Sequence, residues 1–416
     1  MKEILKSEVT KITQSVKRKF YKKRTASLTR GELDGLIQAW FDDKTNKDII
    51  HQIEYADVSD ITDMSNLFGQ HSWNDFDVNI GRWDVSRVTD MNHMFAYSSN
   101  LGHSLEMWDT SSVTNMSYMF RSGPVGNIKI GSWDVSKVTD MSYMFMSAFS
   151  YTDTYFKDQW DLSGWDVSSV INMEGMFRSG LIFNSKIFNV TSTTTNIKTM
   201  FENNWRFNQD LSGWNTSNIT DMNNTFRGCS DFVQDLSNWD TSSVTDMSLM
   251  FTSCSKFNGN IGSWNTSNVT NMRAMFAASH LFNSDISGWD VSKVENMSNM
   301  LSQATVFNRY LDNWDVSKVT LMDYMFYKAK AFNQALSHWD VKKVTNMHSM
   351  FKEATVMNGS MYYWEPFACT DMNSMLKGAS AYTNNIKNWN VDTVTDWTDF
   401  RTDCPISDSN TPSKFR

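Results

Sequence analysis

Proline is nearly missing from this chain, with 4 in 416 residues, and no stretch of about 18 apolar residues occurs in it. The second absence excludes a membrane-spanning helix, and the first removes the composition of a Pro-rich linker. Glycine is scarce too, at 18 residues, and none of it forms a loop that cradles phosphates. No nucleophile elbow is present. Four cysteines are too few for a disulfide framework in a chain of this size. The seven histidines share no ligand spacing, so neither a metal site nor a cofactor is expected.

What the chain has instead is repetition. The phrase WDVSKVTDMSYMF at residues 133–145 returns from Trp83, Trp108, Trp165, Trp214, Trp239, Trp264, Trp289, Trp314 and Trp339, and in worn form from Trp364 and Trp389. From Trp214 to Trp389 the interval is 25 residues every time. A fixed period of that size marks a solenoid, in which each unit stacks on its neighbours alone. A degenerate unit, ADVSDITDMSNLF, opens the series at residues 56–68, so about fourteen turns are expected over residues 56–404. With 40% hydrophobic and 14% aromatic residues, the chain can bury a long, thin core.

The flanking segments differ from the repeats. Residues 1–26 read as a basic amphipathic helical extension, with Leu5, Val9, Ile12, Val16 and Phe20 on one face and lysines on the other. Residues 1–24 could lie on an anionic membrane surface, dock on a partner or pack on the first turn. Residues 27–55 read as a helical N-terminal cap: Thr29 and Glu32 make a capping box, and Leu33, Leu36, Ile37, Trp40 and Phe41 an apolar stripe. Residues 405–416 are left as a C-terminal tail. In residues 1–30, ten Lys or Arg face two Glu, an excess that leaves −16 on the rest of a chain of net charge −8. An acidic body makes nucleic acid a poor partner for the solenoid. The first twenty residues lack the apolar core and cleavage site of a secretory signal, so an intracellular or particle-borne location is expected over classical export.

Within one turn, Ile286, Trp289, Val291 and Val294 have the spacing of a short strand. Met297, Met300, Leu301 and Ala304 have that of a short helix, with Asn296 at its N-cap. The expected unit is strand, short helix and return loop, giving an α/β repeat solenoid of leucine-rich-repeat type. The Phe-Asn pair that closes a turn, as at Phe307 and Asn308, should bury an Asn that satisfies loop backbone groups. The Asp column that includes Asp240, Asp290 and Asp315 should accept hydrogen bonds from backbone or Ser groups of the next turn, with calcium bridging the alternative. Cys229, Cys254, Cys369 and Cys404 are assigned to the core, as are the Met columns.

Trp, Val, Val, Met, Met and Phe at these fixed offsets, with FNQDLSGW at residues 207–214, resemble the repeats of the BspA-like family. That family is a leucine-rich-repeat relative found in mycoplasmas, other bacteria and large DNA viruses. The resemblance implies a surface-exposed protein of adhesion or recognition.

Enzymes bring dissimilar polar residues to one place, whereas this chain repeats the same ones at equal steps, so no enzyme is expected. Packing occupies the repeated slots, and binding falls to positions that vary. These include Lys137, in the slot after the strand's Ser, and Tyr118 and Tyr143, in a slot on the helix. The unit after Trp133 is 32 residues long, and its extra loop carries Phe149, Tyr151, Tyr155, Phe156 and Trp160, residue types that dominate interfaces. The resulting expectation is a non-enzymatic recognition or adhesion scaffold for a protein or glycan ligand. The alternative is a structural component of a virion or other large assembly, contacting neighbouring subunits and anchored partly by the basic N-terminal helix.

Overall fold

A computed structural model of the protein describes residues 27–69, 75–76, 78–98, 100–101, 103–123, 128–148 and 161–416. The expected helix in residues 1–26 and nearly all of the inserted loop lie outside the described residues.

Among the described residues, α-helix is confined to the N-terminal end. Helix α1, Arg30–Asp42, starts on a capping box: Glu32 N–H donates to Thr29 Oγ1 at 3.3 Å, and the Glu32 carboxylate accepts from Thr29 N–H at 2.7 Å. Helix α2, Lys47–Glu54, starts at Asn46, whose side chain accepts from Asp48 and Ile49. Leu33, Ile37, Trp40 and Ile53 are buried beneath the pair. Trp40 meets Phe76 at 4.9 Å, and Arg30 donates to the carbonyls of Asp63 and Ser65. The two helices therefore cover the apolar end that a first turn would otherwise expose.

From there the chain coils. Thirteen single-residue parallel bridges join fourteen rungs, from Asp63 and Asp90 on to Asp371 and Asp396, one rung per sequence repeat. The molecule is a repeat solenoid. One extended pair also forms, β1 (Asp75–Phe76) parallel to β2 (Asn100–Leu101).

The α/β detail of the expected repeat does not hold. No helix forms over residues 297–304 and no strand over residues 286–294, and the bridge that joins the turns falls on Asn296. Met297, Asn299, Leu301 and Gln303 donate instead to carbonyls of Leu321, Asp323, Met325 and Tyr327 in the next turn, at 2.6–3.0 Å. Met300, Ser302 and Ala304 donate back three residues within their own turn. The result is a run of overlapping tight turns, with Asn299 and Gln303 left-handed at φ 60° and 59°. Two physical reasons favour it. A helix of eight residues is well below the roughly 12–15 that persist without strong support. Alternate backbone N–H groups of the run are satisfied by carbonyls of the next turn, a cross-turn pairing that a helix would give up, while Asn296 accepts from Ser298 N–H at 2.9 Å as an N-cap would. Burial is indifferent to the change, since Met297, Met300, Leu301 and Ala304 are fully buried either way.

Stacked columns make the core. Each repeat Trp is buried, and from Trp108 on its indole N–H donates to a main-chain carbonyl of the turn before, as Trp239 does to Leu211, Trp264 to Leu236 and Trp289 to Ile261. Successive indoles are nearly parallel, 5.7 Å apart at Trp214–Trp239 and 6.4 Å at Trp239–Trp264. Phe188 stacks on Trp165 at 6.2 Å in a turn that has no Trp of its own. Phe226, Phe251 and Phe276 form a second column, and Phe257, Phe282 and Phe307 a third.

Polar columns finish the turns, with some corrections to the expected detail. Asn258, Asn283, Asn308 and Asn333 each accept, through Oδ1, the backbone N–H of the residue in the same slot one turn on, at 2.7–3.0 Å. These amides satisfy backbone, but they stand exposed or half-buried where burial was expected. Asp240, Asp290 and Asp315 accept from Ser242, Ser292 and Ser317 of their own turn, two residues ahead, because that reach closes an Asx turn before any neighbour is met. Cys229, Cys254 and Cys369 are buried, whereas Cys404 is half-buried near the end of the coil. Beyond it Asn410 accepts from Ile386 N–H, and Phe415 packs on Phe400 at 4.7 Å, so residues 405–416 cover the last turn.

Candidate functional site

Among the described residues, two slots of the tight-turn run hold left-handed backbone from the second turn on and one in the first, and in most turns they are filled by small or polar residues such as Asn66, Asn224, Ala274 and Ser349. Any Cβ there costs about 1–2 kcal/mol, because it crowds the following carbonyl. Three consecutive turns nevertheless place rings in the first slot: His93 (φ 55°), Tyr118 (φ 58°) and Tyr143 (φ 55°). Tyr118 and Tyr143, expected on a helix, thus sit in turns.

The three rings form a ladder. His93 and Tyr118 are stacked at 4.4 Å and 8°, Tyr118 and Tyr143 at 4.9 Å and 18°. At one end His93 Nδ1 lies 2.7 Å from Asn92 Oδ1. At the other, Tyr143 Oη donates to Glu174 Oε1 at 2.5 Å. Gly175 closes the column. It is left-handed at φ 59°, and a Cβ there would collide with the Tyr143 ring. The Arg121 guanidinium lies 5.6 Å from the centre of the Tyr118 ring and 5.3 Å from that of Tyr97.

Burial, and then the Arg121 charge, hold His93 below the usual imidazole range. Burial raises Tyr118, and burial with the Glu174 hydrogen bond pushes Tyr143 up to about 12. Near neutral pH the ladder is therefore an uncharged aromatic stripe between a guanidinium and a carboxylate. Its ring faces are largely covered by one another, so what it offers is edges and hydroxyls.

The structure brings Tyr118 and Tyr143 into contact but not Lys137. That residue stands exposed in a different column, where neighbours bind across turns, as Asn218 does to Ser192 and Lys293 to Asn268. Phe149, Tyr151, Tyr155, Phe156 and Trp160 lie outside the described residues. Sequence reasoning missed a second aromatic group, Tyr310, Tyr362 and Tyr363, all well exposed. A signal was present. The slot before the repeat Trp holds Ser132, Gly164, Gly213, Ser263 and Gly288, then departs to His338 and Tyr363. Among the described residues, no group of three or more His, Cys, Asp or Glu could hold a metal ion, and no helix is long and apolar enough to cross a membrane.

The family described as "Mycoplasma protein of unknown function, DUF285" matches residues 36–160, 150–242, 220–329 and 307–413. The chain belongs to this family. The four overlapping matches run from within α1 to the end of the solenoid, and each spans several structural turns. The family description assigns no activity or ligand, and it does not decide the BspA-like likeness. No curated protein matches the chain. Among the solved structures that match is "Crystal structure of TLR13-ssRNA13 complex", 8% identical over 87% of this chain, with a TM-score of 0.23. The chain spans 53% of that protein's length.

Proposed function

We propose that this DUF285 protein is a non-enzymatic, surface-exposed recognition scaffold that binds its ligand through side chains that vary from turn to turn. The observation that carries this reading is the His93–Tyr118–Tyr143 ladder. Turns without rings in that slot keep the same bridges, so the fold does not need the three rings. Rings kept on three consecutive turns in a slot that small residues fill in most others point to a use other than packing. Covered ring faces with exposed edges, flanked by Arg121 and Glu174, favour a protein ligand at this flank.

The test measures binding of labelled full-length protein to host-type cells by flow cytometry. Tyr118→Ser with Tyr143→Ser, and separately removal of residues 149–160, should each abolish binding while leaving the melting temperature of the solenoid in place. Binding that survives both changes overturns the proposal. If residues 1–24 alone determine retention on a purified particle, the assembly alternative replaces it.

A further inference from the structure

The opposite situation to the ladder occurs about seven turns further on, where aromatic faces are left open. A cleft there is lined by Tyr310, Asp312, Asn313, Asp315, His338 and Asp340. Tyr310 is 52% exposed, and among the described residues no ring or cation stacks on it. Tyr363, 68% exposed, stands 6.3 Å from the His338 ring and braces edge-on against Tyr362 at 5.1 Å. Most other turns place Gly, Ser or Asn in the slot of His338 and Tyr363, so the scaffold has no packing use for these rings.

The polar lining is arranged, not merely present. Asp312 is buried, with its side chain only 7% exposed, and both its oxygens hold His338: Oδ1 accepts from the backbone N–H at 2.8 Å, and Oδ2 lies 2.6 Å from Nδ1. The imidazole is thereby fixed with Nε2 free to meet a ligand. Asn313 uses its amide N–H on Ser287, which leaves its Oδ1 as an acceptor. Asp315 and Asp340 each use Oδ1 on their own turn, at 3.0 and 3.2 Å, and neither use involves Oδ2.

We propose that this cleft is a saccharide-binding site that seats a pyranose ring of a neutral oligosaccharide on Tyr310, with His338 and the Asp315 and Asp340 carboxylates meeting its hydroxyls. The proposal rests on the recognition-scaffold reading but not on the His93–Tyr143 ladder. A sugar ring has an apolar C–H face and a polar rim, which match an open aromatic plate bordered by fixed acceptors and one imidazole. An apolar protein anchor would need an apolar pocket, and the lining here is mostly polar. A lysine or arginine side chain is the competing occupant, since the carboxylates would attract it, and salt distinguishes the two.

The experiment titrates the full chain by calorimetry with a panel of neutral tetrasaccharides built from glucose, galactose, mannose and N-acetylhexosamine, and with tetralysine. At least one tetrasaccharide should bind, unchanged between about 0.05 and 0.5 M salt. Tyr310→Ala should weaken that binding about tenfold or more, while Tyr310→Phe, which keeps the ring, and Tyr118→Ala should retain it. The inference is overturned if no tetrasaccharide binds, if binding survives Tyr310→Ala, or if tetralysine alone binds and salt abolishes it. Saccharide binding lost with Tyr118→Ala but kept with Tyr310→Ala would overturn this cleft and leave the scaffold reading standing.

Discussion

Replacing Trp264 by Ala is the sharpest probe of how the turns are held together. Its indole lies between Trp239 at 6.4 Å and Trp289 at 6.2 Å, both nearly parallel to it, and its N–H donates to Leu236 O at 2.9 Å. Truncating a buried aromatic to Ala costs about 3–5 kcal/mol, and leaving the Leu236 carbonyl without its partner adds about 1–3. The sum is a large part of the 5–15 kcal/mol that a folded domain typically has. Because each turn touches only its neighbours, the damage should be local at first, with turns on either side of 264 losing hydrogen-exchange protection before the ends do. Trp264→Phe keeps a ring in the stack and removes the N–H, so it should cost less than the alanine variant. The exposed Lys318→Ala should change stability by less than about 0.5 kcal/mol. Urea denaturation followed by circular dichroism measures all three. A Trp264→Ala loss within about 1 kcal/mol of the Lys318→Ala value would refute the columnar core.

Three further outcomes follow from the polar and left-handed columns. Gly175→Ala should destabilise the wild type by more than about 1 kcal/mol through its positive φ and the Tyr143 ring, and Tyr143→Ser should restore part of that loss in the double variant; strictly additive melting shifts would refute the contact. The Ser242 and Ser292 hydrogen bonds hold the Asp240 and Asp290 carboxylates below their usual range. A depressed carboxylate stabilises the fold above its unfolded pKa of about 3.9, and that contribution disappears as pH falls through the folded value. Melting temperature should therefore drop below about pH 4, and Asp240→Asn with Asp290→Asn should flatten the drop, since Asn215 and Asn265 close the same turn elsewhere. Calcium should leave the melting temperature unchanged and so should a chelator, because among the described residues no three carboxylate, imidazole or thiol groups converge on one point; a rise with calcium would restore the bridging ladder.

The register of the solenoid was legible because burial in a repeat is imposed by stacking, and stacking demands the same apolar residue at the same slot. Trp264, Val269, Met272, Met275 and Phe276 could be assigned inward without knowing the backbone, and all are buried. The backbone path was not legible for a reason specific to this repeat. Met297, Met300, Leu301 and Ala304 have helical spacing, yet tight turns that alternate between the next rung and their own bury the same side chains. The cross-turn hydrogen bonds of Met297, Asn299, Leu301 and Gln303 tip the balance, and Asn296, which accepts from Ser298 N–H, carries the same signal for either backbone. At the candidate site, a variable slot could be recognised from Tyr118 and Tyr143, but its left-handed backbone and the Tyr143–Gly175 contact could not, since they depend on a turn 32 residues away.

The same architecture explains how two different aromatic sites can coexist on one rod. Neighbouring rungs hold equivalent residues within reach of one another, so rings in one column on consecutive turns can stack, as His93, Tyr118 and Tyr143 do, whereas His338 and Tyr363 in another column stand 6.3 Å apart and tilted by 38°. Rings keep open faces by changing column, by skipping a turn or, as Tyr363 does beside His338, by tilting away. Tyr310 lies four residues before its Trp and Tyr363 one before its own, two turns apart, and both keep open faces. Consecutive placement therefore yields a stripe of edges running along the rod, suited to an elongated partner that follows the axis. Staggered placement yields separate plates, suited to a ring that lies flat between turns. Moving one ring tests this: Ala335→Tyr would place a ring one turn beyond Tyr310 in the same column. It should cover the Tyr310 face and abolish tetrasaccharide binding without disturbing any buried column, and undiminished binding would show that column position does not govern which faces are free.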